Sequence, residues 1–247
     1  MRGLWKLSWV EAKLFAREPM GAFFTLFFPV MMLLCFGSIY GNKPNSYFGG
    51  YGAVDVSVPA YAAMVIATSG FFLLAIRLAA YREQKILRRL RVTPLRPHTV
   101  LLAQVIVLFA MTALGMAALI IIGKGLYGLR FTGSAISVAA GFVLSSLSLF
   151  AMGFVLAGIA NSTRTAQAVA MLLFYPMLFL SGATIPREAL PATIKHYAQV
   201  LPLTHVVSLL RGLWIGESWA RHGTEAAVLA GLTVVGVVVS AITFRWE

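Results

Sequence analysis

Apolar residues in this chain come in long runs set off by short clusters of charge. They show neither the two-residue alternation of a half-buried strand nor the narrow stripe of a soluble helix. A bilayer core about 30 Å thick needs roughly 20 apolar residues in helical form. Six runs between charges reach that length, at residues 19–42, 56–76, 97–123, 131–163, 165–186 and 226–244. The fourth has polar ends that trim its span to 133–160, and the sixth span is taken from 224. A seventh run, residues 196–210, is too short to cross and holds Pro202, so it reads as a re-entrant or interfacial segment. Around it, Pro186, Pro191 and Pro202 divide the chain between Ile185 and Glu225 into pieces, of which 189–197 and 203–214 suit helices. Broken backbone of this kind persists in a membrane only where protein or a water-filled cavity covers it. The pattern predicts an all-α membrane protein, one transmembrane domain over 1–247. It is expected to have six spans, a surface helix over 1–18 and short helices, re-entrant or interfacial, between spans five and six.

Composition agrees and narrows the chemistry. Charged residues make up 11% of the chain, against about 25% in a soluble domain, which excludes that class. The net charge of +12, from 20 Lys+Arg against 8 Asp+Glu, reflects scarce acids as much as abundant bases. Carboxylate-rich metal sites and paired-acid hydrolase sites are poorly supplied. The single cysteine, Cys35, excludes an internal disulfide and a Cys-based zinc site.

An even number of spans puts both termini on one side, and flanking bases decide which. Arg2, Lys6, Lys13, Arg17, Arg77, Arg82, Lys85, Arg88, Arg89, Arg91, Arg96, Arg164 and Arg245 share one side. On the other, Lys43, Lys124, Arg130, Arg187, Lys195, Arg211 and Arg221 are mixed with Asp55, Glu188, Glu217 and Glu225. The first side is predicted to be cytoplasmic, which places a multi-pass protein in the inner (plasma) membrane with both termini inside. The first span is longer than a signal-peptide core of 7–15 residues and lacks a small-x-small cleavage site, so it is expected to remain as an anchor.

On a helical wheel Arg2, Lys6, Lys13 and Arg17 share one face, with Leu4, Leu7, Leu14 and Phe15 roughly opposite and Trp5 and Trp9 at the flanks, as in an interfacial helix. Glu11 and Glu18 fall on the apolar side, which calls for basic partners on a neighbouring element. A lipid-surface anchor and a protein contact both fit this segment. The stretch YREQKILRRLRVTPLRP, residues 81–97, predicts a short basic helix ended at Thr93-Pro94, because proline disfavours α geometry in the residue before it. Its charges serve topology and anionic headgroups equally well.

Glu83, Lys85, the leucines at 87 and 90, Thr93-Pro94 and the apolar run from Leu101 resemble the loop between spans two and three of the ABC-2 type transporter permeases. Phe174-Tyr175-Pro176 through Ser181-Gly182 and Ile185-Pro186 is similar to that family's fifth span. Leu201-Pro202-Leu203-Thr204 through Leu210-Arg211-Gly212 is similar to the segment before its last span. Arg17-Glu18-Pro19 resembles its junction between interface helix and first span. One departure is Gln84-Lys85, where the family often has Gly-Thr. The resemblance implies a permease subunit paired with a second copy or a paralogue, embedded in lipid and with no nucleic-acid partner. A separate ABC ATPase subunit would bind ATP and Mg. Docking is implied on the helix 82–92, through Arg82, Glu83, Lys85, Arg88, Arg89, Thr93 and Pro94, with Glu11, Arg17 and Glu18 of the first helix beside them.

No cofactor site is legible in the chain itself. Gly123-Lys124 is followed by Gly125 and lacks the first glycine of a phosphate-binding loop, so ATP hydrolysis by that chemistry is excluded. His98, His196, His205 and His222 have no metal-binding spacing, and no G-x-S-x-G occurs. No ionisable residue sits mid-span, which argues against an ion-coupled carrier. Phe71 and Phe72 in span two, and Phe174, Tyr175, Phe179 and Ser181 in span five, are candidate pathway residues, since rings and hydroxyls offer area without fixed charge. Ordinary lipid-facing packing accounts for aromatics there equally well. The expected activity is efflux of a small amphiphile such as a drug, antibiotic or lipid, with export of a lipid-linked polysaccharide as the alternative. The chain is expected not to be an enzyme.

Overall fold

The computed structural model describes residues 2–86, 97–185 and 190–243. Helix α1 (Arg2–Ala16) is followed by α2 (Pro19–Tyr40), α3 (Ala53–Glu83), α4 (Pro97–Tyr127), α5 (Ala135–Ile159) and α6 (Thr163–Leu180). Two short helices, α7 (Ala192–Ala198) and α8 (Pro202–Trp214), precede α9 (Trp219–Thr243). Six helices, α2, α3, α4, α5, α6 and α9, are long and apolar enough to cross a membrane, and no strand occurs among the described residues.

Helix α3 is the hub. Its most apolar stretch is 83% buried, against 22% for α2, 28% for α4 and α6, and 17% for α9. It touches α2, α4, α5, α6 and α8. The sequence supplies small residues where neighbours come closest. A Cβ at Gly153 of α5 would fall onto the Gly70 carbonyl oxygen of α3, and one at Gly70 onto the Phe150 ring. On the far side of α5, a Cβ at Gly236 of α9 would stand 2.8 Å from that of Ala151. Lipid gives no hydrophobic drive for helices to associate, so backbone approach of this kind carries the packing.

The α3–α5 approach falls where α3 widens into a π-helical stretch, Ala67–Leu73, containing Thr68, Ser69 and Gly70. The hydroxyl oxygens of Ser69 and α4's Thr112 lie 2.5 Å apart, and each also lies near a carbonyl of its own helix. Each hydroxyl has one proton, so one donates across the interface while the other donates within its helix. A second π stretch, Phe23–Phe27, interrupts α2. Such stretches are local widenings that often mark functional hinges.

Two boundaries differ from the sequence expectation. The second span was ended at 76 by the charge of Arg77, but the helix continues to Glu83 because its charged residues find partners inside the protein. The basic helix expected over 82–92 is not continuous. Lys85 has φ +56°, the left-handed conformation that closes a helix, and its amide donates back to Arg82. Arg82 and Glu83 therefore belong to α3. Residues 87–96, with Arg88, Arg89, Thr93 and Pro94, lie outside the described residues.

Helix α8 lies between the fifth and sixth spans, where the sequence predicts a short helix. It starts at Pro202, whose missing N–H costs nothing at a first helical turn. Nine of its residues are buried, Leu203, Val206, Leu210 and Trp214 among them, against α3, α5 and α9. Its C-terminal end is tied to the loop before α5: the Gly133 amide donates to the Trp214 carbonyl at 2.9 Å, and the Trp214 indole donates to the Arg130 carbonyl at 3.2 Å. Buried Asp55 anchors the same end of the bundle, accepting from the Asn42 side chain and the Arg130 amide, both at 2.8 Å, and from the Gly52 amide.

The glycine contact gives the first prediction. Gly153→Val, which must move backbone, should destabilise the protein by about 1–3 kcal/mol. Gly231→Ala, in open space on α9, should leave stability unchanged. Thermal unfolding in detergent compares the two; equal midpoints would remove the close approach as a packing determinant.

Candidate coupling site at the basic end of the bundle

Helix α1 presents Glu11, Phe15 and, just past its end, Glu18 along one side. Phe15 is buried in a cluster with Leu73, Leu74 and Leu78 of α3 and Leu108 of α4. That packing brings both acids to α3. Arg77 donates to Glu18 Oε2 through Nε at 3.0 Å and through its second terminal nitrogen, and its guanidinium lies 5.1 Å from the centre of the Phe15 ring. A guanidinium over an aromatic face and against a carboxylate is held by both charge and quadrupole. One turn further along α3, the Tyr81 hydroxyl donates to buried Glu11 at 2.8 Å. The acids on the apolar side of α1 thus face α3, one on a base and one on a phenol. Arg17 points to the exterior, as do Trp5 and Trp9.

The last residues of α3 close two more helix ends. Arg82 donates to the carbonyls of Ala157 and Gly158, at 2.6 and 3.1 Å, and to that of Ala160. These are carbonyls at the C-terminus of α5, left without partners within the helix, where a cation is favoured. Glu83 accepts from the Thr163 amide at 2.8 Å, the first residue of α6, where an anion is favoured. Ser162 caps the same helix by accepting from the Thr165 amide at 3.1 Å. Two adjacent side chains of α3 therefore grip both sides of the tight α5–α6 turn. Lys85 is exposed beyond them.

Of the residues expected at a coupling surface, Glu11, Glu18, Arg82 and Glu83 converge on one end of α3, with Glu11 buried, Glu18 and Arg82 half-buried and Glu83 exposed. Arg17 and Lys85 stay on the outside. Arg77 and Tyr81 are the partners that sequence reasoning missed. The available signal was spacing, with two acids seven residues apart on the apolar side of α1 and a base and a phenol four apart at the end of the following hub.

The candidate pathway residues do not gather round one cavity. Phe71 and Phe174 are buried, and Phe72 stacks on Phe174 with centroids 5.2 Å apart. Ser181 is buried, accepting from the Ala183 amide. Tyr175 and Phe179 are exposed on the outer face of α6. A cavity of about 720 Å³ lies elsewhere, between α4 and α5. Among the described residues, no three His, Cys, Asp or Glu side chains are grouped to hold a metal ion.

Six apolar helices round a buried hub, with a surface helix pinned to it by charge, define a polytopic membrane permease architecture. Comparison with known proteins is specific: the chain belongs to the ABC-2 type transporter family, whose sequence profile matches residues 2–214. It is 25% identical over 176 residues to the inner membrane transport permease YhhJ of Escherichia coli K12, covering 70% of this chain and 44% of that protein. Similarity extends to nodulation protein J of Rhizobium meliloti, 28% identical over 102 residues, covering 41% of this chain and 39% of that one. The probable multidrug ABC transporter permease YbhR of E. coli K12 is 21% identical over 161 residues, covering 65% and 44%. The matched part of this chain spans less than half the length of each of these relatives.

The ion pair should be measurable as an energetic coupling. A double-mutant cycle of Glu18→Gln and Arg77→Gln is expected to give about 1–3 kcal/mol in the stability of the detergent-solubilised protein, the range for a charged hydrogen-bonded pair that is partly sheltered. A coupling near zero would mean that the contact is a surface pair without structural weight.

Proposed function

We propose that this chain is the membrane subunit of an ATP-driven exporter that moves a small amphiphilic or hydrophobic compound out of the cytoplasm. ATP and Mg are handled by a separate ABC ATPase subunit, and two permease copies, or this chain and a paralogue, form the conduit. The observation that carries this reading is the interlock at the basic end: α1, the hub helix α3 and the α5–α6 turn meet through Glu18–Arg77, Glu11–Tyr81, Arg82 and Glu83. A motor pressing on α1 or on the loop after Glu83 moves α3, and α3 touches five other helices. The π stretches in α2 and α3 are places for that motion to bend.

Support for an amphiphile comes from the rings and from kinship. Phe72, Phe174 and Tyr175 form a chain of contacting rings from the interior to the outer face of α6, where Leu172, Leu173 and Phe179 are also exposed. A pathway lined by that face lies between two copies. The relative YbhR is a probable multidrug ABC transporter permease, and a ring-lined, uncharged route suits such compounds. The basic end faces the cytoplasm, by the distribution of arginine and lysine.

Two measurements test this reading. Efflux of a fluorescent amphiphile from cells expressing the chain and its ATPase should survive an uncoupler and stop on ATP depletion; the reverse pattern indicates an ion-coupled carrier. In a Cys35→Ala background, Lys43→Cys should react with an impermeant maleimide on intact cells, and Lys85→Cys only after permeabilisation. The opposite labelling inverts the topology.

A further inference from the structure

Helices α4 and α5 are consecutive, joined by residues 128–134, yet they pack mainly on other helices rather than on each other. Short connections normally join helices that lie side by side. Here the separation leaves an open slot of about 720 Å³, within the range of small-molecule sites, about 300–1,000 Å³. Its walls are apolar on both sides, with Met116 and Ile120 from α4 facing Val138 and Phe142 from α5, and Trp214 of α8 in its lining. Phe109 and Phe142 meet edge-to-face across the slot, with centroids 5.7 Å apart, and mark one end. From Phe109 to Lys124 the α4 wall runs roughly 22 Å at 1.5 Å per residue, enough to pass from mid-membrane to the interface of a bilayer core about 30 Å thick.

The slot is not uniformly greasy. Lys124 lines it at the interfacial end, and exposed Arg130 stands between the lining residues Leu129 and Phe131. Nearby carboxylates are already engaged: Asp55 is buried and accepts three hydrogen bonds, one from the Arg130 amide, while Glu217 is held by His222 and Arg221. The interfacial end of the apolar trough therefore carries the Lys124 ammonium, with exposed Arg130 next in sequence to two of its lining residues. An uncharged transported compound has no use for both, whereas a lipid with one anionic phosphate and long acyl chains matches each part.

We propose that the slot between α4 and α5 is a binding site for an anionic phospholipid, with its phosphate at Lys124 and Arg130 and an acyl chain lying between the helices towards Phe109 and Phe142. The site requires only that this face of the bundle meets the bilayer, and it stands apart from the coupling end. A lipid held there bridges two helices that otherwise meet mainly at the Phe109–Phe142 contact, so it stabilises the fold as well as occupying it.

The test uses the full chain with W5F, W9F, W219F and W246F, leaving Trp214 as the one tryptophan, reconstituted in phosphatidylcholine. A small mole fraction of dibrominated phosphatidylglycerol should quench Trp214 several-fold more than the same fraction of dibrominated phosphatidylcholine. In K124Q/R130Q the two lipids should quench equally. Ala139→Phe, which fills the trough from α5, should lower quenching by both while circular dichroism stays unchanged. Equal quenching by the two lipids in the parent protein overturns the proposal, as does a preference that survives K124Q/R130Q. Absence of quenching by either lipid, with Ala117→Cys cross-linking two copies, also overturns it and assigns the slot to a subunit contact. If the double variant misfolds, K124Q alone decides the charge question and Ala139→Phe the trough.

Discussion

A charge carried towards a membrane must be paired or capped before the helix that bears it can stay there, and the basic end of this protein is organised by that requirement. Arg77 and Arg82 sit on the helix that the rest of the bundle surrounds. Arg77 is met by Glu18 and the Phe15 ring, which draws α1 onto the bundle. Arg82 is met by the free carbonyls that end α5. Because those partners come from separate segments, satisfying two arginines ties together α1, α3 and the α5–α6 turn. The same logic operates in miniature at the opposite end, where Asp55 gathers Asn42, Gly52 and Arg130.

Stability and the proposed transmission then share one set of contacts. Rigid coupling at the ends combines with a middle that is close-packed through glycine at 70 and 153 and locally widened at Ala67–Leu73. Under the proposed coupling, a displacement of the α3 terminus would be passed to the five helices that α3 touches. The widened turn, beside the Ser69–Thr112 contact, is where bending would then concentrate.

Much of this was legible in the sequence. Run length alone located six spans, and prolines marked the short helices before the last one, because a bilayer allows few alternatives for an apolar segment. The odd placement of Glu11 and Glu18 on the apolar side of α1 pointed to basic partners on another element; Glu18 meets Arg77, whereas Glu11 meets the Tyr81 phenol. Partner identity was not legible, since pairing Glu18 with Arg77 depends on how α1 packs along α4 beside the end of α3. The partners of Arg82 and Glu83 were hidden too, because a linear sequence does not reveal that the α5–α6 turn passes beside them. The aromatic residues of α3 and α6 were equally ambiguous: Phe71 and Phe174 are interior packing, whereas Tyr175 and Phe179 face outward. The left-handed turn at Lys85 was obscured by strong helix formers on either side of it.

The account rests on work entering at the end of α3 and leaving as movement of the helices around it. The most direct measurement is the number of substrate molecules moved per ATP hydrolysed by the complex reconstituted in vesicles with Arg82→Ala or Glu83→Gln. Continued hydrolysis with transport reduced several-fold is the predicted result. Undiminished transport in both variants, or vectorial movement by this chain alone without a nucleotide-consuming partner, would contradict it.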